Sequence, residues 1–159
     1  MAVVNGWSLF AHPLFLDQVE KLATAVETAR LKDPGGYRQT ANAKLLAALR
    51  RLMFETIPQD PTRAEYRQGG TLGKGRKHWF RARFGGQRFR LFFRYDSTAK
   101  VIIYAWVNDR ETLRTYGARS DAYAVFRGML DKGDPPEDWG RLLAAASTKG
   151  ARERLGRAE

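Results

Sequence analysis

A chain of 159 residues with 43% hydrophobic composition suffices for one domain without a covalent staple, since folding at this size buries about 68–70% of the unfolded surface. It has no cysteine, which excludes disulfides, thiolate-held metals and thiol catalysis and suits a reducing cytoplasm; His12 and His78 alone predict neither a metal nor a cofactor. The N-terminus lacks a signal-peptide pattern, no apolar run approaches the ~20 residues of a membrane span, and a net charge of +11 points to an anionic partner.

The first predicted element is a helix in "AHPLFLDQVEKLATAVETARLK", with Pro13 in its first turn and Phe15, Val19, Leu22 and Val26 at helical spacing. "DPGG" (33–36) ends it. A second helix, "ANAKLLAALRRLMFETI", sets Ala41, Leu45, Leu49, Leu52 and Met53 on one face and stops at "PQDP". The two are expected to form an antiparallel hairpin on one face of a sheet. "GGTLGKGRK" (69–77) lacks the GK[ST] ending of a nucleotide phosphate loop and reads as a glycine-rich connection.

From Arg63 to Asn108 the period becomes two. "WFRARF", "QRFRLFFRY" and "KVIIYAWVN" predict an antiparallel meander. "NDRETLRTYG" reads as a short helix capped by Asn108 and ended by Gly117. "SDAYAVFRGMLDKG" predicts a helix with Tyr123, Phe126 and Leu130 inward, and "DPPEDWGRLLAAA" another whose start is marked by Asp134, Pro135 and Glu137. Trp7, Trp106 and Trp139 read as core. The domain is expected over 1–147, with 148–159 a polar, flexible tail short of core residues. The fold class is α+β: an antiparallel sheet on an N-terminal helical hairpin, with C-terminal helices.

The charge is concentrated. Residues 67–94 hold nine of the 28 basic residues and no acid, while the remaining 19 face 17 acids. If Gly85-Gly86 is a two-residue turn, Arg83 faces Arg88 and Arg81 faces Arg90. One face then collects Phe80, Ala82, Phe84, Phe89 and Leu91, and the other Arg81, Arg83, Arg88 and Arg90, with Trp79, Phe92 and Arg94 at the far end. The apolar face is expected to pack on the helices and the arginine face to stay open. Like charges directly opposite on a sheet are destabilising, so the arrangement suits a bound polyanion; arginine forks match phosphate oxygens, and Trp79 offers a ring to a base. A non-catalytic RNA-binding module would need no more than this.

These motifs carry a resemblance. "NGWSLFAHPLF" (5–15), "RLFFRY" (90–95), "WVND" (106–109), "TLRTYG" (112–117) and "DAYAVFRGMLDKGDPPEDW" (121–139) resemble the YhaV family within the RelE superfamily of toxin endoribonucleases. The resemblance implies a RelE-like fold and a metal-independent toxin that cleaves messenger RNA on the ribosome, arrests translation and growth, and is neutralised by a PrlF-like antitoxin with an acidic segment over the basic face. The family's hairpin pattern falls on Arg81, Arg83 and Arg90, and its arginine followed six residues later by a tyrosine on Arg110 and Tyr116, with Arg114 a rival to Arg110. Arg81, Arg83, Arg90 and Tyr116 are thus the expected catalytic set, and Lys77, His78, Trp79, Arg88, Arg94, Arg110 and Arg114 the expected RNA contacts. Arginine stays protonated in proteins and is a poor base, so base duty is open between Tyr116, His78 and orientation of the 2′-OH by the ribosome. A gyrase poison of ParE type on the same fold is the alternative.

Overall fold

The computed structural model describes residues 2–159. A five-stranded sheet of order β1-β2-β5-β4-β3 forms its middle layer: β1 (Val3–Val4), β2 (Trp7–Ala11), β3 (Phe80–Phe84), β4 (Phe89–Asp96) and β5 (Val101–Val107). The meander β3-β4-β5 is antiparallel, as expected. The two N-terminal strands are additions to the sequence reading. "WSLFA" sends Leu9 into one core and Phe10 into the other, so it lacks the alternation that announces a half-buried strand. β2 runs parallel to β5, which makes the sheet mixed rather than antiparallel, and β5 is buried along its whole length.

Helices cover both faces. On one side α1 (Pro13–Lys32), α2 (Ala41–Arg51) and α6 (Lys149–Ala158) bury Phe15, Leu16, Leu49, Met53 and Leu155 against Leu91, Phe93 and Tyr104. α2 passes through a wide turn at Leu52–Thr56 into α3 (Ile57–Gln59), where Ile57 N–H reaches back five residues to Leu52 O. Pro58 lacks an N–H and crowds the carbonyl four residues earlier; the widened turn lets the helix pass it, so the expected stop at "PQDP" falls at Asp60. On the other side α4 (Ala122–Asp131) and α5 (Trp139–Ala146) close over Trp79, Phe92 and Trp106. Phe126 of α4 stacks on Phe92 at 4.4 Å and lies 5.5 Å from Trp106.

Three expectations change here. The polar terminus is not a tail without core contacts: α6 buries Ala151, Leu155 and Ala158 beside α1 and β2. "NDRETLRTYG" is not helical, because Asp109 Oδ1 accepts from both Glu111 N (2.9 Å) and Thr112 Oγ1 (2.9 Å), a local turn that competes with a helical one. α5 starts at Trp139 with Asp138 as its cap, its carboxylate accepting from Arg141 N at 2.9 Å. No helix among the described residues is long and apolar enough to cross a membrane.

The β3–β4 connection spans residues 85–88 instead of the two glycines alone. Gly85, Gly86 and Gln87 have φ of 58°, 69° and 69°, and the strands pair Phe84 with Phe89 and Arg83 with Arg90. A Cβ on Gly85 would lie 2.6 Å from the Phe89 ring, so glycine is required there. The register is displaced by two residues, and a displacement of two keeps every side chain on its expected face. What changes is the surroundings: the arginine face is covered at Arg81 and Arg90, beside Tyr123 of α4, and stays open only at Arg83 and Arg88.

Candidate RNA-cleavage site

Burial makes the arginines of this face unequal. Arg81 and Arg90 are each only 6% exposed, whereas Arg83 and Arg88 are exposed. Both buried guanidiniums turn toward one atom: Arg81 Nε donates to Tyr123 Oη at 2.8 Å and Arg90 Nε at 3.1 Å. Backbone carbonyls hold their inner nitrogens, Glu65 O for Arg81 and Gln87 O and Phe89 O for Arg90. Among the described residues no carboxylate lies within 4 Å of either. Two uncompensated buried cations are costly. Their outer Nη2 atoms have no partner among the described residues, and neither is among the buried polar atoms sealed there without one, which are Tyr66 Oη and Trp79 Nε1. The two donors therefore reach solvent with bonds to give.

The segment 108–121 walls this cleft. Arg114 lies between two rings, its guanidinium carbon 3.8 Å from the Tyr116 centroid and 4.7 Å from that of Tyr123. Asp121 fixes the stack: Oδ1 accepts from Arg114 Nη1 at 2.6 Å and Thr115 N at 2.6 Å, while Oδ2 caps α4 through Tyr123 N at 3.0 Å. The result is a layered Tyr116–Arg114–Tyr123 arrangement whose outer ring, Tyr116, is 89% exposed. Arg88 reaches the same segment at Thr115 Oγ1, 3.2 Å away. The open cleft lined by Thr71, Arg114, Asp121, Tyr123 and Arg127 has a volume of about 270 Å³.

Asn108 joins this wall to the hairpin. Buried at the end of β5, it accepts from Arg90 N at 2.6 Å and donates to Arg88 O at 3.0 Å and Thr112 O at 2.8 Å. Asn108→Ala takes this partner from Arg90 N and Thr112 O, while Arg88 O keeps Arg114 N at 3.1 Å, at a cost of about 2 kcal/mol. The thermal midpoint should fall by roughly 6 °C, with cleavage reduced at temperatures where the variant is still folded.

The other expected contacts lie apart. Trp79 is fully buried against Phe126 and has no face for a base. Arg94 is held between Trp79 and Trp139, 5.4 and 5.2 Å from their centroids, and donates to Glu137 O, so it fastens the start of α5 to the sheet. Arg110 turns to the helical hairpin, donating to Asn42 Oδ1 at 2.6 Å; of the two rivals, Arg114 sits in the cleft. Lys77 and His78 are exposed and line a separate cleft with the glycines of 69–77. Burial first, then Arg94 and Arg76, lowers the His78 pKa below its ordinary value, against an opposing pull from Glu137.

Comparison with known proteins places the sequence in a family. A family model described as "Toxin with endonuclease activity, of toxin-antitoxin system" matches residues 9–147. The protein named Ribonuclease toxin YhaV from Escherichia coli (strain K12) is 49% identical over 140 residues, covering 87% of this chain and 91% of that protein, and Toxin YhaV from Escherichia coli O157:H7 gives the same figures. The chain belongs to the YhaV toxin family. No solved structure matches it. In this YhaV-family chain, sequence reasoning missed Tyr123, Asp121 and Asn108 as parts of the cleft. Helical spacing assigns Tyr123 to the core, and its ring does pack there, while its hydroxyl meets Arg81 and Arg90. The available signal was an Asp two residues ahead of it at a helix start.

Proposed function

We propose that this YhaV-family toxin is a ribosome-dependent, metal-independent messenger-RNA endoribonuclease of RelE-like fold, acting at the Arg81–Arg90–Tyr123 cleft. The observation that carries the reading is the pair of buried guanidiniums converging without a carboxylate. A scissile phosphate supplies the missing anion, and its charge grows as the 2′-oxygen attacks phosphorus. The 2′-OH gives up its proton, which passes to solvent or to a ribosomal group, as its oxygen bonds to phosphorus. The P–O5′ bond then breaks and the departing 5′-oxygen takes up a proton, leaving a 2′,3′-cyclic phosphate and a 5′-hydroxyl. Fixed donors stabilise the pentacoordinate dianion because they need no reorganisation at the moment of reaction. Tyr123 accepts two hydrogen bonds and its own O–H has no acceptor among the described residues, which leaves that proton free to point at a phosphate or leaving oxygen.

Tyr116 takes a different part in this reading. It stands at the rim, with Arg114 between it and Tyr123, and its free face suits a nucleobase, where stacking is worth about 1–3 kcal/mol per base. Arg83 and Arg88 offer exposed charge to RNA or, in the neutralised complex, to an acidic segment of a PrlF-like antitoxin.

The test is an in vitro translation reaction with end-labelled mRNA, run with and without ribosomes. Discrete cuts that require ribosomes are expected. Tyr123→Phe should lower kcat by about tenfold or more, the value of a hydrogen bond to a charged group, whereas Tyr116→Ala should act mainly on KM. Cuts without ribosomes would remove the ribosome from the proposal, and intact RNA beside inhibited gyrase supercoiling would replace the reading altogether.

A further inference from the structure

The segment 68–78 is more ordered than a connection requires. Gln68, itself 6% exposed, uses its side-chain amide on Arg76 O at 2.8 Å, Thr71 Oγ1 at 2.7 Å and Leu72 N at 3.3 Å. Arg76 returns to Leu72 O at 3.2 Å and grips Asp131 and Glu137, each at 2.8 Å. Leu72 is fully buried. Gly69, Gly73 and Gly75 adopt φ of 67°, 101° and 80°, and a Cβ at Gly69, Gly70 or Gly75 would meet nothing within 4 Å, so the backbone there is open on the side where a side chain would stand.

The fastening uses up the segment's one paired cation, Arg76. Lys74 and Lys77 make no ion pair or hydrogen bond among the described residues, and with His78 and three glycines they line an open cleft of about 340 Å³. This cleft is separate from the one lined by Tyr123 but is joined to it through the segment itself. Thr71 of the same segment lines the Tyr123 cleft, and a Cβ on Gly73 would sit 3.6 Å from Cδ of Arg127, another of that cleft's residues. A fastened, glycine-lined surface with two lysines unpaired among the described residues thus borders the cleft that Tyr123 lines.

We propose that the 69–78 segment is a second phosphate-binding surface, which holds the sugar–phosphate backbone of RNA flanking the scissile nucleotide through Lys74 and Lys77, with the glycines allowing its close approach. The inference rests on the endoribonuclease reading above. It is not a nucleotide loop: no helix follows and no Ser or Thr stands after Lys74 or Lys77. The glycines permit close approach of a backbone of any sequence, and the lysines supply charge without base selectivity.

The experiment uses the full chain and a fluorescent RNA 12-mer methylated at every 2′-oxygen, which removes the nucleophile, with binding followed by anisotropy between 50 and 200 mM salt. A single-strand phosphate contact contributes about −0.7 to the log–log salt slope. Lys74→Ala/Lys77→Ala should therefore reduce the slope magnitude by roughly 1.4, so that the parent loses about sevenfold more affinity than the variant over this range. Lys74→Arg/Lys77→Arg should keep the parent's slope, and a trinucleotide should bind parent and alanine variant alike. An unchanged slope in the alanine variant, with unmethylated mRNA still cleaved by the parent, overturns the second surface and leaves the endoribonuclease reading standing. Failure of the parent to cleave mRNA overturns both.

Discussion

Arg81→Met/Arg90→Met should abolish most cleavage while leaving the protein folded. Each guanidinium aims a donor at one spot, and losing a well-placed donor to a developing anion costs about 10²–10³ in rate, or roughly 3–4 kcal/mol. The two act on the same oxygens, so their losses are not additive; single variants should fall nearly as far as the double. Stability should respond differently. Each arginine gives up hydrogen bonds to Tyr123 Oη and to backbone carbonyls, but the double variant also removes two buried charges that no carboxylate offsets. Replacing buried ionic groups by apolar ones of similar volume is often neutral or stabilising. The thermal midpoint should stay within about 3 °C of the parent, equivalent to roughly 1 kcal/mol. A single-stranded polyanion that resists cleavage should raise the midpoint of the parent and not of the variant, since only a ligand that binds the native state stabilises it. Folded variants with parental cleavage would remove these two residues from the site.

The contrast between rate and stability explains why this part of the site was legible in the sequence. Arginines at alternate positions beside a glycine turn fix a face whatever the register, and the displacement of two residues at 85–88 did no damage to that inference. What sequence could not convey was how the face is covered. Nothing in "DAYAVFRGMLDKG" announces that α4 lies across the arginines, because Tyr123, Phe126 and Leu130 would read the same against any apolar surface. Trp79 and Arg94 were misjudged for that reason: aromatic and basic residues interleaved on a strand look like an RNA platform until a helix closes over them. The segment 109–120 was opaque for another cause. Its geometry comes from side-chain bonds to backbone, local for Asp109 and Asp121 and across to Arg88 O for Asn108, which carry no periodicity.

The C-terminal helix was misjudged for a third cause, which leads to the other large effect expected. "KGARERLGRA" is strongly polar, and its inward residues are a single leucine and two alanines, Leu155, Ala151 and Ala158. Two kinds of contact hold it. Arg154 bonds Glu20 at 2.7 and 2.8 Å and Asp17 at 2.5 Å, and Leu155 fills the core shared by α1 and β2. The Arg154 bond, first among its causes, lowers the Glu20 pKa. A carboxyl so depressed contributes stability above its ordinary range that is lost on acidification through the lowered value. Because both carboxylates are exposed, such pairs are worth only about 0–1 kcal/mol. Leu155→Ala, by contrast, should cost about 2–5 kcal/mol and lower the thermal midpoint by something near 10 °C. Ending the chain after Thr148 removes all three inward residues and uncovers Leu9, Phe15 and Leu16, a loss approaching the roughly 5–15 kcal/mol that separates folded from unfolded chains. Calorimetry of the parent, Arg154→Ala, Leu155→Ala and the truncated chain should rank them in that order of falling stability. A truncated chain that melts with the parent would mean that 149–159 adds nothing to the core and that the sequence reading of a dispensable tail was right.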